Sequence, residues 1–264
     1  MDILSHTFSG VAIGTVCSSY AANNWKDQSK IILISALGGA VPDFDAISLW
    51  SKFDATIGKV FHLPYSGKYI YSAKLWYSHH GFLHSIAGCL FMTTMLGLSL
   101  FLFSYFRKTN TWNIHTLKLP LAGFMCGFLL HLIEDMPTPA ASWGGVNLFW
   151  PSKGYIGGSG DIWWWNNYDI FLIILSIISI NIIALLVFKW KRFSITRFTW
   201  AVFVIGVALS FYQIKHRGFD FAYSGHAVNY ELYELKSKDI QKQLLGKKVF
   251  SMMEKLDRML PVYF

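Results

Sequence analysis

Charged residues are scarce in this sequence. Asp, Glu, Lys and Arg make up 14% of its 264 residues, and 53% are hydrophobic, whereas soluble domains carry about 25% charged residues. Such a composition excludes an ordinary soluble domain. We therefore expect an integral membrane protein.

Cysteine is also scarce, and a basic N-terminal region is missing. The three cysteines, Cys17, Cys89 and Cys126, form no CxxC pair and lie in apolar segments, so they are expected to be small buried hydrophobes. The opening residues MDILSHTF lack the basic start of a secretory signal, and no cleavable signal peptide is expected. The net charge of +8 is attributed to cytoplasmic loops and a basic tail, and no nucleic-acid partner is expected.

Long apolar runs account for the hydrophobic excess. Residues 86–106 and 170–188 contain no charge over 21 and 19 residues, and each is long enough to cross a hydrocarbon core of about 30 Å as a helix. Four further apolar segments are shorter or interrupted: 3–22, 31–41, 119–133 and 199–214. The sequence predicts an all-α polytopic membrane bundle of about six helices, formed by residues 1–214.

A different pattern follows the last apolar segment. Residues 215–264 form a basic tail, in which residues 231–260 carry mixed charges and an apolar stripe. This pattern is typical of an amphipathic helix that lies on the membrane or on the protein body.

The distribution of Lys and Arg predicts the orientation of the bundle. Residues 23–30, 107–118 and 189–198 carry two, three and four basic residues and together one acidic residue. By the positive-inside rule these alternate loops are cytoplasmic. Residues 42–85 and 135–169, with the N-terminus, would then face outside in a cell (inner) membrane.

Histidine and aspartate residues gather at the ends of the apolar segments that this topology assigns to the outer face. They come from four separate places in the chain, although the loop charges alone determine the topology. Buried ionisable residues at membrane depth are costly, so they indicate function. The predicted metal ligands are His6, Asp43, Asp45, His79, His80, His84, His131 and Asp135.

The residue types and spacings suit a divalent metal. His80 and His84, like His131 and Asp135, are four residues apart, which on a helix places both side chains on one face. Imidazole and carboxylate together favour zinc, with Mn²⁺ or Fe²⁺ as alternatives. One to three ions are expected, and several ions could hold a phosphoryl group. Glu134 and His80 are candidate catalytic residues.

Structural roles are the alternative for each group taken alone. His6 could be an interfacial polar residue. The Asp43 and Asp45 carboxylates, which follow Pro42, could cap a turn by binding their own backbone. A histidine and an aspartate on a membrane-spanning segment are harder to explain by structure, because hydrocarbon penalises both.

Five short motifs follow one another along the chain: His6; Gly38, Gly39, Pro42, Asp43 and Asp45; His79, Gly81, His84 and Ser85; His131 and Asp135; Gly145, Val146, Leu148 and Pro151. Their order resembles the LexA-regulated, membrane-bound metal-dependent hydrolases, which look distantly related to zinc-dependent phospholipase C. The resemblance covers about residues 1–190. His80 stands where that family usually has Arg, which leaves open whether His79 or His80 binds metal.

The sequence and the resemblance together predict a zinc-dependent hydrolase that acts on a lipid-linked phosphoester at the outer membrane face. Membrane lipids are the expected partners. Residues 142–165 would shape the entrance, and the backbone amides of residues 157–160 would contact phosphate oxygens. The alternatives are a transporter or sensor that binds metal without hydrolysis, and a structural metal in an assembly partner.

Overall fold

The computed structural model describes residues 3–21, 24–108, 113–136, 145–157, 168–187 and 192–216, with parts of 239–255. Within the first six ranges, two short 3₁₀ helices and one π-helical turn occur at Pro42–Leu49, Phe82–His84 and Asp54–Gly58. Seven α-helices lie in the same ranges: α1 (Ile3–Ser18), α2 (Trp25–Ala40), α3 (Gly67–Ser72), α4 (Ile86–Phe106), α5 (Ile114–Asp135), α6 (Tyr168–Val187) and α7 (Arg192–His216).

The long helices confirm the predicted all-helical membrane bundle. Each of the six predicted apolar segments forms a helix, and four of these, α4 to α7, are long and apolar enough to cross a membrane. α2 becomes a fifth span only together with Pro42–Leu49, to which it is bent by 48°. α1 has 16 residues, so it rises about 24 Å and is shorter than the hydrocarbon core.

Glycines bring α1, α2 and α5 into close contact at the centre of the bundle. A Cβ atom on Gly39 would overlap the carbonyl oxygen of His6, and one on Gly38 would overlap the carbonyl oxygen of Phe124. Small residues allow membrane helices to approach this closely. The Gly-Gly pair thereby holds the helices of His6 and His131 against the end of α2.

α6 packs on the outside of α1. Ile174 and Ile177 share one buried apolar cluster with Ile13, and Asn181 Nδ2 donates a hydrogen bond of 2.9 Å to Thr15 Oγ1. Thr15 and Asn181 are both fully buried, so the hydrogen bond pairs two polar groups that apolar surroundings would otherwise penalise. Phe203 of α7 belongs to the same cluster, so α6 and α7 both pack against α1.

The structure corrects one prediction about the histidine segment. The spacing of His80 and His84 predicts that both project from one helical face, and this is wrong. His80 has φ of 64°, a left-handed conformation that an α-helix of L-residues does not contain. The Gly81 N–H donates to the Ser78 carbonyl at 2.9 Å, which closes a turn, and α4 begins only after Ser85 caps it. The two histidines therefore converge through a turn.

The tail is described only in part. Residues 245–252 are helical, while residues 217–238 and 256–264 of the predicted amphipathic tail lie outside the described residues. The boundary predicted at residue 214 stays a prediction, and α7 continues to His216.

Candidate metal centre

All eight predicted ligands meet at one end of the bundle, called here the site end. α1 contributes a residue from its first turn, α5 contributes two from its last turn, and the segment between α2 and α4 contributes the others. Pro42 starts the 3₁₀ helix directly after α2. In its first turn, Asp43 lies beside His131 near the end of α5. In chain order the residues are His6, then Asp43 and Asp45, then His79, His80 and His84, then His131 and Asp135.

Four ligand atoms form a compact group within 4.8 Å of one another, from Asp43, His84, His131 and Asp135. His131 Nε2 lies 2.9 Å from Asp135 Oδ2 and 3.1 Å from His84 Nε2. Asp43 Oδ1 lies 3.6 Å from His131 Nε2 and 3.9 Å from His84 Nε2. His84, His131 and Asp135 are fully or almost fully buried, and Asp43 is the most exposed of the four.

Hydrogen bonds behind the histidines determine which ring nitrogen faces the group. His131 Nδ1 donates to the Gly39 carbonyl at 2.7 Å, and His80 Nδ1 donates to the Gly145 carbonyl at 2.5 Å. A carbonyl can only accept, so each Nδ1 carries the proton and a neutral ring keeps its Nε2 lone pair. That lone pair is the one a metal needs, and such outer hydrogen bonds are typical of metal-binding histidines.

Asp45 lies behind two of the histidines. Its Oδ1 accepts from His79 Nδ1 at 2.7 Å, and its Oδ2 accepts from His84 Nδ1 at 2.8 Å. The structure thus gives Asp45, a predicted ligand, the place of a carboxylate that orients ligands. The conformation of residues 42–49 brings its carboxylate there, which the sequence motif alone does not show.

His79 and His80 form a second group with His84, and the ligand atoms of these three residues also lie within 4.8 Å of one another. His80 Nε2 lies 3.6 Å from Asp135 Oδ2, so it adjoins the first group. The structure therefore brings both candidates, His79 and His80, to the site. His84 is shared, and the two groups form one cluster, called here the metal centre.

His6 and Glu134 lie on the far side of Asp135. His6 Nδ1 is 2.8 Å from Glu134 Oε2, and His6 Nε2 is 3.0 Å from Asp135 Oδ1. The His6 ring also stacks on His131 with centroids 3.8 Å apart. Both nitrogens of His6 face carboxylates, so His6 orients Asp135, and Glu134 contacts His6 beside the centre.

The titration of the turn histidines follows from their neighbours. Burial lowers the pKa of His84, but the Asp45 and Asp135 carboxylates outweigh burial and raise the pKa to about 10. Burial, together with the neighbouring His79 and His84, holds the pKa of His80 well below its usual value. His80 is therefore neutral at physiological pH, as a metal ligand must be.

The donor chemistry fits zinc. Ligand atoms about 2.0 Å from a tetrahedral zinc ion lie about 3.3 Å apart. Five of the six separations among His84, His131, Asp135 and Asp43 run from 2.9 Å to 3.9 Å, and all six are within 4.8 Å. Imidazole nitrogen and carboxylate oxygen are also ligands that zinc accepts. The residues present can therefore hold a divalent ion, and its identity stays a prediction.

A family comparison agrees with this architecture. The model of a family described as YdjM inner membrane protein matches residues 1–217. The chain belongs to the YdjM inner membrane protein family. The matched region of this YdjM family member contains α1 to α7 and every residue of the metal centre, and it ends as the tail begins. The family description confirms an inner membrane location and names no reaction.

Two other comparisons gave no match. Neither the curated proteins nor the solved structures contain a chain that matches this YdjM family member.

Several residues at the site were not predicted. The carbonyls of Gly39 and Gly145 orient His131 and His80, and Tyr71 stacks on His79 with centroids 4.6 Å apart. Both glycines belong to motifs of the family resemblance, which was the one available signal for them. Of the predicted entrance, residues 142–144 and 158–165 lie outside the described residues, including the expected amides at 158–160.

Proposed function

We propose that this protein is a membrane-bound, zinc-dependent hydrolase that cleaves a phosphoester of a lipid substrate at the outer membrane face. The observation that carries the proposal is the convergence of oriented Nε2 atoms and carboxylate oxygens in the metal centre. Each Nδ1 of His79, His80, His84 and His131 is held by an acceptor outside the cluster.

The composition of the cluster favours phosphoester chemistry over a purely structural ion. A structural zinc site is closed by four ligands, whereas this centre has two adjoining groups that share His84. Bound divalent ions supply Lewis acids that polarise a phosphoryl oxygen and lower the pKa of water. The cluster also lies at the ends of the helices, where a lipid headgroup is found.

The chain's own residues would position and shield the reacting groups. Asp43 is the outermost member of the first group, with a side chain 12% exposed, so a substrate would approach from its side. The stack of His6 on His131 closes the centre toward α1. Glu134 is 19% exposed and contacts His6, which makes it a candidate to accept a proton through that ring.

Metal content is the first test. Elemental analysis by inductively coupled plasma mass spectrometry would compare the purified wild type with His84→Ala and Asp135→Ala. The control is His115→Ala, because His115 is exposed at the start of α5, at the opposite end of that helix. We expect at least one zinc per chain in the wild type and the control, and a reduced content in both site variants.

The reaction is tested on the same four proteins. Phosphate or headgroup release would be measured from vesicles that contain a phospholipid or a polyprenyl phosphate. Activity in the wild type and His115→Ala alone would support the hydrolase. Zinc without release of either product would favour the transporter or sensor, and the absence of stoichiometric metal after purification without chelators would refute the proposal.

A further inference from the structure

A cation and a phenol lie together beside the metal centre but take no part in it. Lys74 Nζ is positioned over the ring of Tyr155, 4.5 Å from its centroid. Lys74 is exposed and Tyr155 is half-buried. Lys74 precedes His79 and His80 in the segment 73–85, and Tyr155 lies in the segment 145–157, whose Gly145 carbonyl accepts from His80 Nδ1.

The position of Lys74 is constrained from both sides along the chain. Tyr71, in α3, stacks on the ring of His79 with centroids 4.6 Å apart and planes 11° from parallel. Lys74 lies between these two stacked residues. Because the Tyr71–His79 contact holds both ends of this short segment, Lys74 stays near His79.

Tyr155 is held by backbone pairing. Val146 and Ile156 exchange two backbone hydrogen bonds of 2.9 Å each. The pairing is antiparallel, so Tyr155 lies opposite Asn147, whose N–H donates to the His80 carbonyl at 3.0 Å. The backbone pairing therefore holds the segment of Tyr155 against the segment of His80.

The chemistry of the pair suits an anion. A cation–π contact orients the lysine ammonium and leaves N–H groups free to donate. Burial and the Asp45 carboxylate raise the pKa of Tyr155, so its hydroxyl remains protonated and can also donate. Lysine is a common phosphate ligand that acts as a point charge.

We propose that Lys74 and Tyr155 form an anion subsite at the edge of the metal centre, which binds the phosphate group of the substrate. The subsite deepens the proposed function and rests on it, because it assumes that a phosphoester reaches the metal centre. It adds a positive side chain that is not a member of the ligand set.

Calorimetric titration of the purified protein with inorganic phosphate tests the subsite without requiring turnover. The variants are Lys74→Gln and Tyr155→Phe, and the control is Lys52→Gln, because Lys52 is an exposed lysine on the 42–85 segment. We expect Lys74→Gln to weaken phosphate binding about tenfold, as loss of one charge-assisted hydrogen bond would. Tyr155→Phe keeps the ring and should weaken binding by a smaller factor, and Lys52→Gln should bind as the wild type does.

Zinc content, measured on the same samples, separates this proposal from the proposed function. Zinc in the wild type, with equal phosphate affinity in Lys74→Gln, would overturn the subsite and leave the hydrolase standing. Lys74-dependent binding in a protein without zinc would retain the subsite and refute the hydrolase. Equal losses in Lys74→Gln and Lys52→Gln, or no phosphate binding by the wild type, would also overturn the subsite.

Discussion

At the scale of residues, the metal centre depends on the groups that hold the ligands as much as on the ligands. The predicted residues all lie at the site. They could be recognised from the sequence because histidine and aspartate are costly at membrane depth. The sequence does not show which of them joins the ligand group and which orients a ligand. Asp45 and Asp43 are two residues apart in one motif, yet one faces His79 and His84 from behind and the other joins the four-atom group.

Replacement of Asp45 by Asn tests its orienting role. The amide keeps the size of the side chain but offers one acceptor where His79 Nδ1 and His84 Nδ1 need two. We expect zinc affinity to fall by about 10- to 100-fold, as is typical for partners of metal-bound histidines. Competition with a chromophoric zinc chelator would measure it. The control is Asp27→Asn, whose carboxylate pairs with Lys30 at the start of α2; equal affinities in the two variants would contradict the role.

Zinc binding should release protons. The pKa of His84 in the folded, metal-free protein is raised to about 10, above its ordinary value of about 6.5. Its proton therefore stabilises the folded metal-free protein fully below about pH 6.5, and this contribution is lost as pH rises through about 10. Zinc competes with that proton, so apparent zinc affinity should rise with pH between these values.

Calorimetry in buffers of different ionisation enthalpy would count the protons that zinc displaces at neutral pH. At least one proton per zinc is expected from the wild type. His84→Ala should release about one fewer in any residual binding, since the titrating group is gone. A wild type that binds zinc without releasing protons would show that His84 is neutral before the metal arrives.

At the scale of elements, the existence of the helices was predictable, but their ends were predictable only in part. The apolar run 86–106 coincides with α4, because Ser85 caps its start. α5 begins before its apolar run, since Asn113 and Thr116 form a capping box that starts the helix upstream of Pro120. For residues 77–85, the prediction that His80 and His84 share one helical face was wrong. Histidine spacing alone cannot distinguish a helical face from a turn with a left-handed residue.

The contact of Gly39 with α1 gives an element-scale prediction. Gly39→Ala should push α1 from α2, because the new methyl group would overlap the carbonyl oxygen of His6. Overpacking of this kind costs about 1–3 kcal/mol. It should also disturb His131, which donates to the Gly39 carbonyl.

Thermal unfolding and zinc content of the detergent-purified variant would measure both effects. The control is Gly154→Ala, where an added Cβ meets no atom closer than 3.7 Å, and it should behave as the wild type does. A stable Gly39→Ala protein with full zinc content would show that α1 and α2 can separate without affecting the metal centre.

At the scale of the whole molecule, the lengths of the helices locate the centre relative to the membrane. α4 to α7 are long enough to span, whereas α1 is short and α2 bends by 48° into the 3₁₀ helix. The metal centre lies where the start of α1 and the end of α2 meet the end of α5. Residues 42–85 supply Asp43, His79, His80 and His84, and Gly145 contacts His80. Under the proposed function, a lipid headgroup would reach this end while its acyl chains remain in the bilayer.

The side of the membrane on which the centre lies is the remaining prediction, and loop charge alone supports it. Single cysteines would replace Lys52, on the site end, and Lys26, at the start of α2 on the opposite end; both lysines are exposed. The background would have Cys17, Cys89 and Cys126 changed to serine. In spheroplasts a membrane-impermeant maleimide should label Lys52→Cys at once, and Lys26→Cys only after the membrane is permeabilised.

The opposite labelling pattern would move the metal centre to the cytoplasmic side. Its ligands would stay together, because their convergence depends on helix packing and not on orientation. Its substrate would then have to come from the inner leaflet, whose anionic headgroups would be attracted to exposed lysines of the site end such as Lys52. The labelling result therefore selects the leaflet from which lipids for the hydrolysis assay are chosen, before any one substrate is tested.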